Sequence, residues 1–252
     1  MAHGATDVGR KRSQNEDYFL VNPEVNLYIL ADGMGGHSGG EFASRMAVQT
    51  IEEVMKGLTS DPEATVISGV NSDEAQCEDQ LRYAIQIASK KIFDRATYDP
   101  ALKGMGTTTV LTLFDGGKAY IANVGDSRAY LFHGPKMKQV TTDHSLVNEQ
   151  LKAGLITKSE IKNHKLKNII TRSVGYQEEV EIDLKTLDVQ TGDKILLCSD
   201  GLSNMLSDET IEKIVQHHPI KEACEKLIQS ANEAGGDDNI TVLLMIVTNP
   251  TG

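Results

Sequence analysis

Three apolar runs in this chain stop at an aspartate beside a glycine or serine. They are Leu27-Tyr-Ile-Leu-Ala-Asp32-Gly33, Ala119-Tyr-Ile-Ala-Asn-Val-Gly-Asp126-Ser127 and Ile195-Leu-Leu-Cys-Ser-Asp200-Gly201. A mirror case, Gly235-Gly-Asp237-Asp238-Asn239, leads into the last apolar run from Ile240. Short runs of this kind, bounded by turn residues, read as buried strands. The chain is therefore expected to build sheets whose rims carry carboxylates. A strand end fixes a short side chain rigidly at the edge of a core, and a neighbouring glycine lets backbone or ligand come close. One such aspartate is ordinary turn chemistry, because Asp bonds its own backbone. Four in one chain outweigh that reading. Where the rims converge the carboxylates face one another, and like charges held together resist ionisation. A divalent cation resolves the conflict.

The remaining patterning supplies the layers around those strands. Phe19-Leu-Val reads as an early strand, with Asn22-Pro23 as a turn before the run at Leu27. Gly39-Gly40 opens a helical pattern in which Phe42, Met46, Thr50, Val54 and Leu58 recur, with Ala43, Ala47 and Ile51 beside them and Gly57 as the expected stop. Residues 59–71 read as a loop, and Ser72-Asp73-Glu74 starts a second helix whose stripe is Leu81, Ile85, Ala88 and Ile92. Residues 107–114, 118–124 and 128–132, separated by Asp115-Gly116 and Gly125-Asp126-Ser127, read as an antiparallel meander. Residues 144–176 are polar, with short helical pieces and a Thr157-x-x-Glu160 capping box. A buried strand follows at 194–198, then helices at about 208–217 and 220–233. Grouped strands and paired helices argue for an α+β fold around packed antiparallel sheets. No repeat, low-complexity tract or linker divides the chain, so one domain over 1–252 is expected.

Charge narrows the partners. With 25 basic and 36 acidic residues the net charge is −11, which argues against a nucleic-acid face or an anionic membrane surface. No run of about 18 apolar residues occurs, and Met1-Ala-His-Gly-Ala-Thr-Asp has no apolar leader core. Cys77, Cys198 and Cys224 are odd in number and far apart, which excludes a disulfide framework or thiolate zinc site and points to a reducing cytoplasm. Cys198 reads as core, and His217-His218 as a pair favouring a helix dipole.

No His or Cys cluster accompanies the four aspartates, and all-oxygen donors favour Mg²⁺, Mn²⁺ or Ca²⁺. EF-hand spacing is missing, which removes the Ca²⁺ loop. Several carboxylates can hold two hard cations, which activate a water and neutralise a phosphoryl group. The segment Arg10-Lys-Arg12-Ser-Gln-Asn15-Glu16-Asp17 adds guanidinium groups close to two more acids. Arginine suits phosphate because its planar fork bonds two oxygens at once. A solvated polar turn is the alternative reading of that segment.

Six ordered pieces resemble the metal-dependent protein phosphatases, the protein phosphatase 2C family, in its compact bacterial form. They are Arg12-Ser-Gln-Asn-Glu-Asp17, Ala31-Asp-Gly-Met-Gly-Gly36, Gly106-Thr-Thr, Gly125-Asp-Ser-Arg128, Ser199-Asp-Gly-Leu202 and Gly236-Asp-Asp-Asn-Ile-Thr241. The resemblance implies an antiparallel β-sandwich flanked by pairs of α-helices, four layers in all, with a small flap subdomain at about 145–176. It implies two core Mn²⁺ or Mg²⁺ ions and a weaker third. Asp32 would bridge the core pair, the Gly33 carbonyl would bind the second ion, and Asp200 and Asp238 would hold the first. Asp17 would stand near the second ion, with Glu16 its competitor. Asp126 would hold the third ion with Asp200, and Arg12 would bind phosphate. Asp237 is not expected to ligate. The implied catalytic set is Asp32, Asp200, Asp238 and Arg12, and the implied reaction is hydrolysis of phosphoserine and phosphothreonine by a hydroxide held between the two ions, with no phosphoenzyme.

Met34 is a departure, standing where eukaryotic members carry a His proposed to protonate the leaving oxygen. A thioether cannot do so. His37 is nearby and is expected to face solvent. In the flap, Lys152, Lys158, Lys162, Lys165, Lys167 and Arg172 oppose the single acid Glu160, so the lobe either attracts acidic phosphoproteins or is a solvated helical face. The expected partners are phosphorylated proteins, including a Ser/Thr kinase or its targets, and the expected state is a monomer. The competing reading, from a different class, is a non-catalytic phosphoprotein-binding module on the same fold. The complete set of acids argues against it.

Overall fold

The computed structural model describes residues 1–35, 39–60, 73–161 and 164–249. Gly36, His37, Ser72, Lys162 and nearly all of the loop expected over 59–71 lie outside the described residues. The chain begins with strands β1 (Ala2–Asp7), β2 (Asp17–Asn22) and β3 (Leu27–Met34), then helices α1 (Gly39–Ser60) and α2 (Asp73–Tyr98). Strands β4 (Gly106–Thr107), β5 (Thr109–Asp115), β6 (Lys118–Val124), β7 (Arg128–His133) and β8 (Lys136–Gln139) follow. Short helices α3 (Leu146–Lys152) and α4 (Lys158–Ile161) lead to β9 (Asp183–Asp188) and β10 (Lys194–Cys198). Helices α5 (Asp200–Ser203), α6 (Asp208–His217) and α7 (Ile220–Glu233) precede β11 (Ile240–Ile246). Among the described residues no helix is long and apolar enough to cross a membrane.

The described strands form two antiparallel sheets, β1-β11-β10-β7-β8 and β2-β3-β5-β6-β9, with β4 beside β3. Side chains alternate across a strand, so a strand buried on both faces serves two cores. In β3, Leu27, Ile29 and Ala31 pack toward α1 and α2, while Tyr28 and Leu30 pack toward the other sheet. In β11, Ile240, Val242 and Leu244 pack toward α6 and α7, while Leu243 and Met245 meet β3 and β5 side chains. Three apolar layers thus separate four structural ones, the expected α-β-β-α sandwich.

Local details differ from the reading of the sequence. Helix α1 runs through Gly57 to Ser60. Its buried stripe centres on Ala43, Ala47 and Ile51, the two alanines small enough for close approach to β3, and Phe42 is exposed beneath the Arg95 guanidinium. The meander expected over 107–132 does not form. Strands β5 and β6 are a hairpin, but β6 then pairs with β9, and β7 pairs with β10 and β8 in the other sheet. Gly125, at φ 108, lies in the turn where the chain crosses between sheets. The 144–176 segment carries α3 and α4, and Glu160 Oε2 accepts from the Thr157 amide at 2.7 Å, the capping contact expected there.

Candidate metal centre

Every rim aspartate falls at the same end of the sandwich. Asp17 opens β2 and sits opposite Asp32 in the β2–β3 register. Asp126 lies in the β6–β7 turn, Asp200 follows β10 as the first residue of α5, and Asp238 stands two residues before β11. The β10 end at Cys198 is flanked by Arg128 of β7 and Val242 of β11, which brings these three aspartates together. Asp32, Asp126, Asp200 and Asp238 line one cavity of about 420 Å³, together with Arg12, Glu16, Gly33 and Met34. The flap contributes Asn168 and Ile170 to its wall.

Backbone clamps hold the acids in place. Thr108 Oγ1 accepts from the Asp32 amide at 3.1 Å, Thr107 Oγ1 donates to the Asp32 carbonyl at 2.9 Å, and the Thr108 amide donates to the same carbonyl at 2.8 Å. Thr108 Oγ1 also bonds Ser127 Oγ at 2.7 Å, linking the Asp32 strand to the Asp126 turn. Buried Asn239 holds the loop that carries Arg12: its amide donates to the Val8 and Gln14 carbonyls, each at 2.9 Å, and its oxygen accepts from the Glu16 amide at 2.8 Å. At Gly33 a Cβ would lie 2.0 Å from the Gly40 carbonyl oxygen and 2.6 Å from that of Glu16. Only glycine fits between the start of α1 and the residue that leads into β2.

Crowding governs the electrostatics. Asp32 is pushed well above the usual carboxylate range by burial first, then by repulsion from Asp17, Asp200, Asp126 and Asp238. Burial raises Asp17 to about 7 against hydrogen bonds from Thr241 and Ser199, raises Asp126 to about 8 with help from Asp200, and raises Asp200 to about 6 with help from Asp238. Thr241 Oγ1 donates to Asp17 Oδ2 at 2.6 Å, while Asp17 Oδ1 is buried with no hydrogen-bond partner. A buried carboxylate oxygen left bare is costly unless something positive meets it. Hard cations with oxygen donors fit this set. As placed, no three His, Cys, Asp or Glu side chains among the described residues are arranged to hold one ion. Arg12 Nη2 instead donates to Asp238 Oδ2 at 2.7 Å, and Asn204 Nδ2 to Asp200 Oδ2 at 3.0 Å.

The structure therefore gathers Arg12, Asp32, Gly33, Asp126, Asp200 and Asp238 around one space and sets Asp17 beneath it, with Glu16 rather than Asp17 facing the cavity. Asp237 points away, exposed, to Lys11 at 3.2 Å. The two other histidines singled out, His217 and His218, donate Nδ1–H to the Lys213 and Ile214 carbonyls at 2.7 and 3.0 Å, as expected of a helix C-terminus. Cys198 is core. Asn168, Ile170 and the clamping roles of Thr107, Thr108 and Asn239 were not visible beforehand. Gly106-Thr-Thr and Asp-Asn-Ile stand out as motifs in the sequence, yet the bonds that explain them join residues 75 or more apart. Arg172, counted among the flap cations, is committed to Glu181 at 2.9 Å and Asp183 at 3.0 Å. Beside the first cavity, Lys167 lines a second one of about 290 Å³ that shares Asp126 and Asp200.

A protein-family profile described as protein phosphatase 2C matches residues 8–245. The serine/threonine phosphatase stp of Listeria innocua is 41% identical over 244 residues, covering 95% of this chain and 93% of that protein. The crystal structure of the Mycobacterium tuberculosis serine/threonine phosphatase PstP/Ppp superposes with a TM-score of 0.87 at 32% identity, over 99% of each chain. The PstP catalytic domain in complex with two manganese ions matches with a TM-score of 0.82 at 32% identity, over 99% of this chain and 98% of that one. On the profile match and the full-length likeness alike, the chain belongs to the protein phosphatase 2C family.

Proposed function

We propose that this protein phosphatase hydrolyses phosphoserine and phosphothreonine in proteins, as one catalytic domain over 1–252 with a flap at about 145–176, using two core Mn²⁺ or Mg²⁺ ions and a weaker third. The observation that carries the reading is the convergence of Asp32, Asp126, Asp200, Asp238 and Arg12 on one cavity above the unpartnered Asp17 Oδ1. A Mn²⁺-bound relative of the same fold supports the choice of ion.

In this reading Asp32 would hold both core ions, Asp200 and Asp238 the first, and the Gly33 carbonyl and Asp17 the second, with Glu16 facing the cavity beside them. Asp126 joins Asp200 at the weaker site. Ions held there would supply an activated water and neutralise the phosphoryl oxygens. The chain's own residues do the rest. Arg12 trades its Asp238 contact for two phosphate oxygens, which orients the ester. Asn204 gives up Asp200 in the same exchange. Thr108 cannot serve as a nucleophile while its hydroxyl holds Ser127 and the Asp32 amide, and no Ser, Cys or His lines the cavity among the described residues. The lining aspartates, the remaining candidate nucleophiles, are the residues given to the ions in this reading, which leaves water as the attacking group and supports hydrolysis without a phosphoenzyme. Met34 lines the wall and supplies no proton, so the leaving oxygen takes its proton from solvent or another acid.

Phosphorylated proteins, a Ser/Thr kinase or its targets among them, are the partners this implies, met by a monomer in the cytoplasm, where the buried Cys77, Cys198 and Cys224 stay reduced. The test is release of phosphate from a phosphothreonine peptide with Mn²⁺, with EDTA, and with Asp200→Asn plus Mn²⁺. Turnover is expected only in the first, with the variant down by about 10³-fold or more. Folded protein that turns over neither this peptide nor a small aryl phosphate would instead support the binding-module reading.

A further inference from the structure

His144 is buried where the chain enters the flap, and it also meets the chain where the flap returns. Its carbonyl accepts from the Thr171 amide at 2.8 Å, and the Leu146 amide next in sequence but one donates to the Ile169 carbonyl at 2.8 Å. On the opposite side the His144 amide donates to the Gly125 carbonyl at 2.9 Å, and the Gly125 amide donates to His144 Nδ1 at 3.1 Å. A backbone amide only donates, so Nδ1 carries no proton. The neutral ring then bears its proton on Nε2, which donates to Asp183 Oδ2 at 3.2 Å. Arg172 Nη1 holds the other Asp183 oxygen at 3.0 Å and lies 3.3 Å from Nε2. Burial first, with the charge of Arg172 adding to it, holds this imidazole below its ordinary pKa despite the pull of Asp183, which agrees with the neutral tautomer.

We propose that His144 is a positioning residue that ties both ends of the flap to the Gly125-Asp126-Ser127 turn and so sets where Asp126 stands. The inference rests on the assignment of Asp126 to the weaker cation site. Gly125 is grasped at both its amide and its carbonyl, so a rotation of that turn, which would carry Asp126 with it, must break two bonds to one residue. A shift of the flap acts on the same residue from the other side. Groups that orient a metal ligand are worth about 10–100-fold in metal affinity. The weaker cation step should therefore depend on His144, whereas the core pair, whose Asp32 is also held by the Thr107 hydroxyl and the Thr108 amide, should not.

Calorimetric titration of Mn²⁺ into the full chain tests this with Asp126→Asn, His144→Gln and His144→Asn. The Asn oxygen reaches the place of Nδ1 and keeps the Gly125 bond, whereas the Gln amide reaches the place of Nε2 and loses it. Asp126→Asn is expected to remove the weak step. His144→Gln is expected to weaken that step by about tenfold with the tight steps unchanged, and His144→Asn to bind as wild type. Limited proteolysis should cut His144→Gln faster within 145–176. A weak step that survives Asp126→Asn overturns the cation assignment itself. A weak step lost in Asp126→Asn but unchanged in His144→Gln, or weakened equally in His144→Asn, overturns the role of His144. Should His144→Gln not fold, Asp183→Ala frees the far side of the ring: a weakened weak step supports the tie, and an unchanged one overturns it.

Discussion

At Gly33 the cavity wall is built by two stretches of backbone, and neither can give way locally. A methyl group there would lie 2.0 Å from one carbonyl oxygen and 2.6 Å from another, so the end of β3 or the start of α1 must move. Displacing a reacting group by about 1 Å costs about 10²-fold in rate. Gly33→Ala is thus expected to lower kcat/KM on a phosphothreonine peptide by about 100-fold while the far-ultraviolet dichroism stays native. Wild-type kinetics in a folded Gly33→Ala protein would contradict the placement of Asp32 and Gly33 at the reacting centre. The same residues show what the sequence could and could not reveal. Asp32, Asp126, Asp200 and Asp238 were legible because a strand end is a local event that puts its side chain at a rim. The choice between Glu16 and Asp17 was not. Glu16 ends the loop before β2 and Asp17 opens the strand, and which one faces the cavity follows from the pairing of Asp17 with Asp32, a register set by contacts elsewhere in the sheet.

At the scale of elements the flap is where charge and geometry meet. Arg172 is locked to Glu181 and Asp183 and cannot serve an incoming substrate. Lys165 is exposed, and Lys167 lines the cavity beside Asp126 and Asp200. Both are placed to meet an acidic phosphoprotein. Lys165→Gln with Lys167→Gln is expected to lower kcat/KM on an acidic phosphoprotein by about threefold to tenfold at low salt and by less at high salt, as steering requires. Turnover of a small aryl phosphate should be unchanged, and an equal loss on both substrates would mean that the lysines support the flap's structure instead. Elements with strong periodicity, such as β10, α6 and α7, were legible to the residue. Strand β9 was not, because Asp183-Leu-Lys-Thr-Leu-Asp is short, two-thirds polar and only partly buried along its length. The crossing at Gly125 was hidden for a different reason. A glycine between two strands looks the same whether the second strand folds back on the first or leaves for another sheet, and only the distant β9 and β10 decide between them.

For the whole molecule, the two sheets bury a charge cluster that the unfolded chain would leave in water. Unfolded carboxylates titrate near 4. In the folded chain Asp200 stands at about 6, Asp17 at about 7 and Asp126 at about 8, each raised first by burial. Between the unfolded and folded values the folded chain holds more protons than the unfolded one. Stability is then fully present at low pH and is lost as pH rises through the folded values. His144 acts in the opposite direction, since its lowered pKa removes stability as pH falls below its ordinary value. One imidazole opposes at least three carboxylates, so the carboxylates set the slope. Cations displace those protons and meet the charge directly. In EDTA the melting temperature is therefore expected to fall between about pH 5.5 and about pH 8. Saturating Mn²⁺ should raise it at both ends, and by more at the higher pH, because there the folded chain holds fewer protons to screen its own site. A Mn²⁺-induced rise that is equal at both pH values would mean that the ions do not replace protons on these aspartates, and that the cluster is held together by something other than the metal.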